Sequence, residues 1–206
     1  MIAMAQARLA TDPELAERVA ARKATIAARH AENFARWAEE ALVDRDASPL
    51  TTARLAAEVW EVIKDEDWVL GSGTLRQWTR KLWDFDASHR HPGKGLGTST
   101  QIGISLGVAL AHKKSDKVVV ALQPDGDLMF DAGALWTAAK HQIPLLIVMF
   151  NNRAYYNDWH HQTRMARSRG TDENRAHIGM DIFGPEPDFA TIAQGMGMWG
   201  EGPIDD

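Results

Sequence analysis

The sequence predicts an α/β fold: an open parallel sheet with helices on both faces, preceded by an N-terminal helical extension. Three observations predict it. Two runs, KVVVALQ (117–123) and PLLIVMF (144–150), are almost continuously apolar, as strands buried on both faces are. The stretch between them, FDAGALWTAAKHQ, has helical character and suits a crossover. Strand and helix signals then alternate as βαβαβα, the order that a parallel sheet accommodates.

Residues 1–47 read as helix. Thr11-Asp12-Pro13-Glu14 is a start signal: a capping residue, a proline in the first turn and an acid facing the dipole. Leu15, Val19, Ile26, Phe34, Trp37 and Leu42 then recur near a helical period. Asp46-Ala47-Ser48-Pro49 breaks the pattern. Residues 1–49 are therefore expected to be a helical extension or inter-domain connector, and 50–206 the α/β domain.

A second helix is capped near Thr51 or Thr52 and places Leu55, Val59, Val62 and Ile63 on one side. After the acidic turn Asp65-Glu66-Asp67, WVLGSG reads as a short strand and Thr74–Trp83 as helix. His89–Thr98 is a glycine-rich loop leading into the small-residue helix ISLGVALAHKK. Residues 157–187 read as a long, mobile, polar loop. Asp188 caps a last helix, FATIAQG, and MWGEGPI reads as the start of a further strand. That reading leads to the expectation that the fold is cut off near its C-terminus.

Composition excludes several classes. The chain has 206 residues, 45% hydrophobic and 25% charged, ordinary for a globular domain. A net charge of −5 argues against a nucleic-acid-binding face, which needs basic character. No cysteine is present, so disulfides and thiolate metal sites are excluded; this fits a cytoplasmic protein. The first residues lack the basic start and apolar core of a secretory signal. No apolar run approaches the roughly 20 residues that span a bilayer. The eight tryptophans read as core and interface area.

The chemistry lies between Gln123 and Tyr156. Asp125 stands in an Asp-Gly-Asp turn after one apolar run, and Asn152 just after the next. In an open α/β sheet, ligands bind beyond the carboxyl ends of the strands. Both side chains offer hard oxygen. Mg²⁺ takes near-octahedral oxygen coordination, usually from one or two protein carboxylates plus phosphates and water. Gly126 admits close backbone approach, and the following helix offers free N–H groups to an anion. Pro124 fixes φ just before the turn. The pattern reads as a holder for a metal ion and a phosphate-bearing cofactor.

On these residues the chain resembles the thiamine diphosphate-dependent enzymes of the acetolactate synthase and 2-oxo acid decarboxylase group. Their motif, Gly-Asp-Gly followed later by Asn-Asn, stands here as Pro124-Asp125-Gly126 and Asn151-Asn152. Proline replaces the first glycine and leaves both side-chain ligands intact. The resemblance spans roughly residues 50–202 and implies the diphosphate-binding domain and its thiamine diphosphate-binding fold. It implies Mg²⁺ held by Asp125, Asn152 and the Ala154 carbonyl. The diphosphate would meet the N–H groups of Gly126 and Asp127. It further implies cofactor contacts at Thr74, at Gly95, Leu96, Gly97 and Thr98, and at Tyr155, with Leu96 or Thr98 where an apolar wedge bends the cofactor. The activating glutamate belongs to a separate pyrimidine-binding domain of the same or another subunit, which nothing here matches. The implied partners are that domain in a homo-oligomer and a small 2-oxo acid, decarboxylated with the cofactor as electron sink. The isolated chain is expected to be inactive.

Other residues carry weaker readings. His89 with His91, and His160 with His161, read as surface or loop histidines before metal ligands. Arg164, Arg167, Arg169 and Arg175 read as a solvated charge run before an anion site. Three rival functions remain open at this point. Asp125-Gly126-Asp127 superficially fits a haloacid-dehalogenase-like phosphotransferase, but no lysine follows Lys140. The others are a non-catalytic cofactor-binding module and the diphosphate-binding subunit of a two-chain decarboxylase.

Overall fold

The computed structural model describes residues 1–73, 77–91, 97 and 99–204. The chain divides into two compact units, Met1–Val43 and Asp44–Asp206.

The first unit holds two helices, α1 (Ile2–Thr11) and α2 (Pro13–Leu42). The expected start signal at residues 11–14 is where one helix ends and the next begins. Asp12 takes an extended conformation, and its carboxylate accepts the Leu15 N–H at 3.0 Å. Pro13 then occupies the first helical position, where a missing N–H costs nothing. α2 stops at Leu42, short of the expected break at Asp46–Pro49; Asp44 turns the chain with φ 55°.

The second unit is built on a parallel sheet of β1 (Trp68–Ser72), β2 (Val118–Pro124) and β3 (Leu146–Phe150), with β2 in the centre. Its strands alternate between two cores, as a doubly covered sheet requires. On one face, Trp68, Leu70, Val120 and Leu122 pack with α3 (Thr52–Ile63) and α4 (Trp78–Leu82). On the other, Val69 and Val119 pack with α5 (Thr100–His112), α7 (Gly133–Lys140) and α9 (Phe189–Gly195). Helices on both faces are thus as expected.

Tryptophan fills the first core. Trp68 and Trp83 are fully buried and meet edge to face at 5.4 Å, while Trp60 stacks on Trp83 at 6.0 Å. The Trp83 indole N–H donates to the Ala56 carbonyl at 2.8 Å, so the ring buries its polar edge with a partner.

Four expectations need correction. Asp125-Gly126-Asp127 is the first turn of a short helix, α6 (Asp125–Phe130), and not a free turn. The crossover is therefore two helices, α6 and α7, separated at Asp131 and Ala132. Residues 157–187 are not one loop: they hold most of α8 (Tyr156–Arg169) and a 3₁₀ turn, Glu173–Arg175. α8 buries no residue, so no apolar period marks it. Its ends carry the signal: Asp158 in the first turn, Arg167 and Arg169 in the last, and Gly170 at φ 64° donating to Ala166 and Arg167. Finally, residues 196–204 form turns and no strand. Gly200 explains the tight path there, since a Cβ would lie 2.6 Å from the Ala190 carbonyl oxygen.

Candidate cofactor site at the carboxyl end of the sheet

β2 and β3 end level with each other. Pro124 pairs with Phe150, so Asp125 and Asn151 are the first residues past the sheet on neighbouring strands. Pro124 lies at φ −75°, the angle its ring fixes, and hands the chain directly into α6.

Asp125 is the unusual group. It is 1% exposed, and neither carboxylate oxygen has a hydrogen-bond partner. Burial pushes its carboxyl above the ordinary range. The backbone amides of Gly126, Arg153 and Ala154 oppose that shift and so lie on its side of the site. They favour the charged carboxylate, although none reaches good hydrogen-bond geometry with it. The Arg153 and Ala154 N–H groups donate instead to the side-chain oxygens of Asn151 (3.1 Å) and Asn152 (3.0 Å).

The turn after β3 is shaped by those two asparagine hydrogen bonds. Between them Arg153 adopts a left-handed conformation, φ 58°, uncommon for a residue with a side chain. An antiparallel bridge between Ala154 and Asp181 then fixes the segment. Its hydrogen bonds run from Tyr155 N–H to Met180 O and from Ile182 N–H to Arg153 O, both 2.8 Å. They leave the Ala154 carbonyl out of the ladder.

Tyr155 backs the first turn of α6. A Cβ on Gly126 would lie 2.7 Å from Tyr155 Cδ1 and 3.0 Å from Cε1. The glycine is therefore required by the tyrosine ring, whatever else approaches its backbone. Phe130 lies 5.1 Å from the same ring. Burial raises the Tyr155 hydroxyl's pKa, and the charge of Asp125 adds to the rise.

The donor set fits a hard cation. The end of β2 offers two solvent-excluded carboxylate oxygens, and the turn after β3 offers an asparagine oxygen with one lone pair still available and a carbonyl outside the ladder. Among the described residues, no three His, Cys, Asp or Glu side chains gather here or at any other point. An amide and a carbonyl would have to complete the set around Asp125.

The remaining sequence candidates fall in several places. Asp125, Gly126, Asp127, Asn152, Ala154 and Tyr155 come together. Thr74, Gly95, Leu96 and Thr98 lie outside the described residues. Gly97 sits in the turn that starts α5, where the Thr100 hydroxyl donates to its carbonyl at 2.6 Å. His89 contacts Asp67 at the opposite, amino end of the sheet, and His91 bonds the Leu70 carbonyl. His160 stacks on Tyr156. Arg164, Arg167 and Arg169 lie on α8 and Arg175 in the 3₁₀ turn, with Arg167 paired to Glu173.

Two residues near the site were not legible as candidates. Gln123 is fully buried at the end of β2 with an unpartnered Oε1, and Asp181 has an unpartnered, solvent-excluded Oδ1. A polar residue closing an otherwise apolar strand was the available sign for Gln123. Nothing local marks Asp181, whose place depends on the bridge to Ala154.

Comparison with known proteins gives the family and the fold. A family model described as "Thiamine pyrophosphate enzyme, C-terminal TPP binding domain" matches residues 71–205. The acetolactate synthase large subunit of Pyropia yezoensis is 23% identical over 170 residues, covering 81% of this chain and 27% of that protein. Among solved structures, the thiamine diphosphate-dependent 4-hydroxybenzoylformate decarboxylase of Rhodococcus jostii RHA1 superposes with a TM-score of 0.54 at 27% identity. That match covers 73% of this chain and 27% of the decarboxylase. Benzoylformate decarboxylase from Polynucleobacter necessarius shares the fold, with a TM-score of 0.57 at 20% identity over 75% of this chain and 28% of that one. The chain spans about a quarter of the length of the curated relatives it matches.

Proposed function

The chain belongs to the thiamine pyrophosphate enzymes, through their C-terminal TPP binding domain, and we propose that it holds the diphosphate end of the cofactor together with Mg²⁺. The whole enzyme would be a decarboxylase or carboligase of 2-oxo acids, acetolactate synthase-like, with a pyrimidine-binding domain supplied by the same or another subunit of a homo-oligomer. The observation that carries this reading is the buried, unpartnered carboxylate of Asp125 beside the Asn152–Ala154 turn at the carboxyl end of the sheet.

Each residue has a task on that reading. Asp125 supplies the charge that neutralises half of the cation, and its burial leaves it no competing donor. Asn152 and the Ala154 carbonyl add neutral oxygens, with the remaining positions left to phosphate and water. Gly126 and Asp127 belong to the first turn of α6, whose N–H groups have no intrahelical acceptor and suit an anion. Tyr155 closes the back of the turn and keeps water from it. The bridge from Ala154 to Asp181 holds the Asn152 turn in place. Thiamine diphosphate, when bound, supplies the electron sink for decarboxylation. The residue that activates it lies outside this chain.

Calorimetry of thiamine diphosphate with Mg²⁺, with the pyrimidine-binding domain present, tests the assignment. Asp125→Ala should remove the Mg²⁺-dependent part of binding. Unchanged Mg²⁺-dependent binding in that variant would sink the assignment.

A further inference from the structure

Asp127 does something with its side chain that the family motif does not require of it. Its Oδ1 accepts the Ser99 backbone N–H at 2.8 Å. Ser99 is the N-cap residue of α5, and its own side chain makes no capping hydrogen bond. In an ordinary capping box, an acid three residues into the helix accepts the N–H of the cap residue. That position in α5 is Ile102, a fully buried core residue that cannot do so. Asp127 takes over the task from another helix.

The surroundings fit this role. Leu128, next to Asp127, is buried in the same core as Ile102 and Leu106 of α5, so α6 and α5 are packed together. Ser99 sits at φ 65°, a costly conformation for serine that needs an outside contact to hold it. The Thr100 hydroxyl and N–H both return to the Gly97 carbonyl, at 2.6 and 3.3 Å. A Cβ on Gly97 would lie 2.7 Å from Thr100 Cγ2. Gly97 and Thr100 are thus tied to each other, and Ser99 is tied to α6 through a carboxylate.

Charge points the same way. On the functional reading, the amides of Gly126 and Asp127 face an anion, and a free carboxylate there would repel it. Directed at the first turn of α5, a helix of 13 residues, the Asp127 charge instead meets a favourable dipole. Its Oδ1 is the atom that meets α5, through the Ser99 N–H, while Oδ2 is excluded from solvent.

We propose that Asp127 is a positioning residue that couples the strand-end site at Asp125 to the capped start of α5 at Ser99. Occupancy of the site and order of that helix start then rise together. The proposal rests on the functional reading for the identity of the ligand, but the cap itself does not.

Amide hydrogen exchange at Ser99 tests it in two arms. Without ligand, Asp127→Ala should speed Ser99 exchange about fivefold to tenfold, the loss of one capping contact, and Asp127→Asn should restore it to within about threefold. With Mg²⁺ and thiamine diphosphate, in the presence of the pyrimidine-binding domain, the wild-type Ser99 amide should slow further. Asp127→Ala should lose that ligand-induced slowing at Ser99 yet keep it at the amides of β2 and β3. Asp127→Ser, too short to reach Ser99, replaces the alanine variant should that one not fold. Unchanged Ser99 exchange in the breaking variants, or ligand-induced slowing that persists in them, overturns the coupling. Failure of the wild-type protein to bind Mg²⁺ and thiamine diphosphate overturns the functional reading and the coupling with it.

Discussion

Asp125→Asn should stabilise the ligand-free protein while removing Mg²⁺-dependent cofactor binding. With metal chelated, Asp125 is 1% exposed and both its oxygens lack a donor. A buried polar group left unsatisfied costs about 1–3 kcal/mol, and more when it is charged. Asparagine keeps the shape and removes the charge, but its own amide must be accommodated. A net gain of about 1–2 kcal/mol follows. For a chain of this size that raises Tm by about 3–6 °C. The pH dependence has a defined sign. Burial raises the Asp125 carboxyl's pKa in the folded chain, so the folded state holds that proton more tightly than the unfolded state. The group's contribution is favourable below the unfolded value and is lost as pH rises through the folded one. The advantage of the asparagine variant should therefore grow from acid toward neutral pH. Thermal melts in chelator across that range give the first measurement. Melts with Mg²⁺, thiamine diphosphate and the pyrimidine-binding domain give the second. Ligand at a hundred times its Kd adds about 2.7 kcal/mol to a protein that binds it, so the order of the two Tm values reverses. An asparagine variant that melts below wild type in chelator would refute the reasoning, because the carboxylate would then be satisfied without a cation.

Three further outcomes follow from local geometry. Gly126→Ala should cost about 1–3 kcal/mol by driving a methyl into the Tyr155 ring. Tyr155→Ala in the same chain should recover most of that loss in thermal melts; no recovery would mean the clash lies elsewhere. Trp83→Phe should cost about 1–3 kcal/mol, from the indole hydrogen bond to the Ala56 carbonyl and the ring volume lost, read as a lower urea midpoint. Lys117→Met should raise the Asp67 pKa toward the ordinary carboxylate value in an NMR titration, since the hydrogen bond from Lys117 is the largest cause of its depression, ahead of that from His89. The stability this contact gives is present above the ordinary carboxylate pKa and lost as pH falls through the depressed value, and salt should weaken it.

Where the sequence was legible, a local rule sufficed. The apolar runs place β2 and β3 to within a residue or two; β2 is buried along nearly its whole length, as its run predicts, while β3 lies at the edge of the described sheet and is only partly covered. Asp188 caps α9 as expected, accepting the Thr191 N–H at 2.9 Å, because a cap is decided within one turn. Asp125 and Asn151 follow the ends of neighbouring strands because register brings the ends of β2 and β3 level. α8 was missed for the converse reason. Its period is not apolar, and its evidence lies only in charges and a glycine at its ends.

The site's finer features depend on residues far apart in sequence. The left-handed Arg153 is held by a bridge to residues 180–182, inside a stretch that reads as loop. Gly126 reads as room for a phosphate, yet the atoms nearest its missing Cβ belong to Tyr155 and Ile182. Asp127 reads as a backbone donor, yet its side chain caps a helix that begins at Thr100. Spacing locates the ends of strands, where the chemistry must be. What each side chain does there is set by which distant segment folds over it. Asp125 differs in kind from Gly126 and Asp127: burial by any neighbour leaves a carboxylate in need of a proton, a donor or a cation, while those two take their roles from the particular residues that cover them.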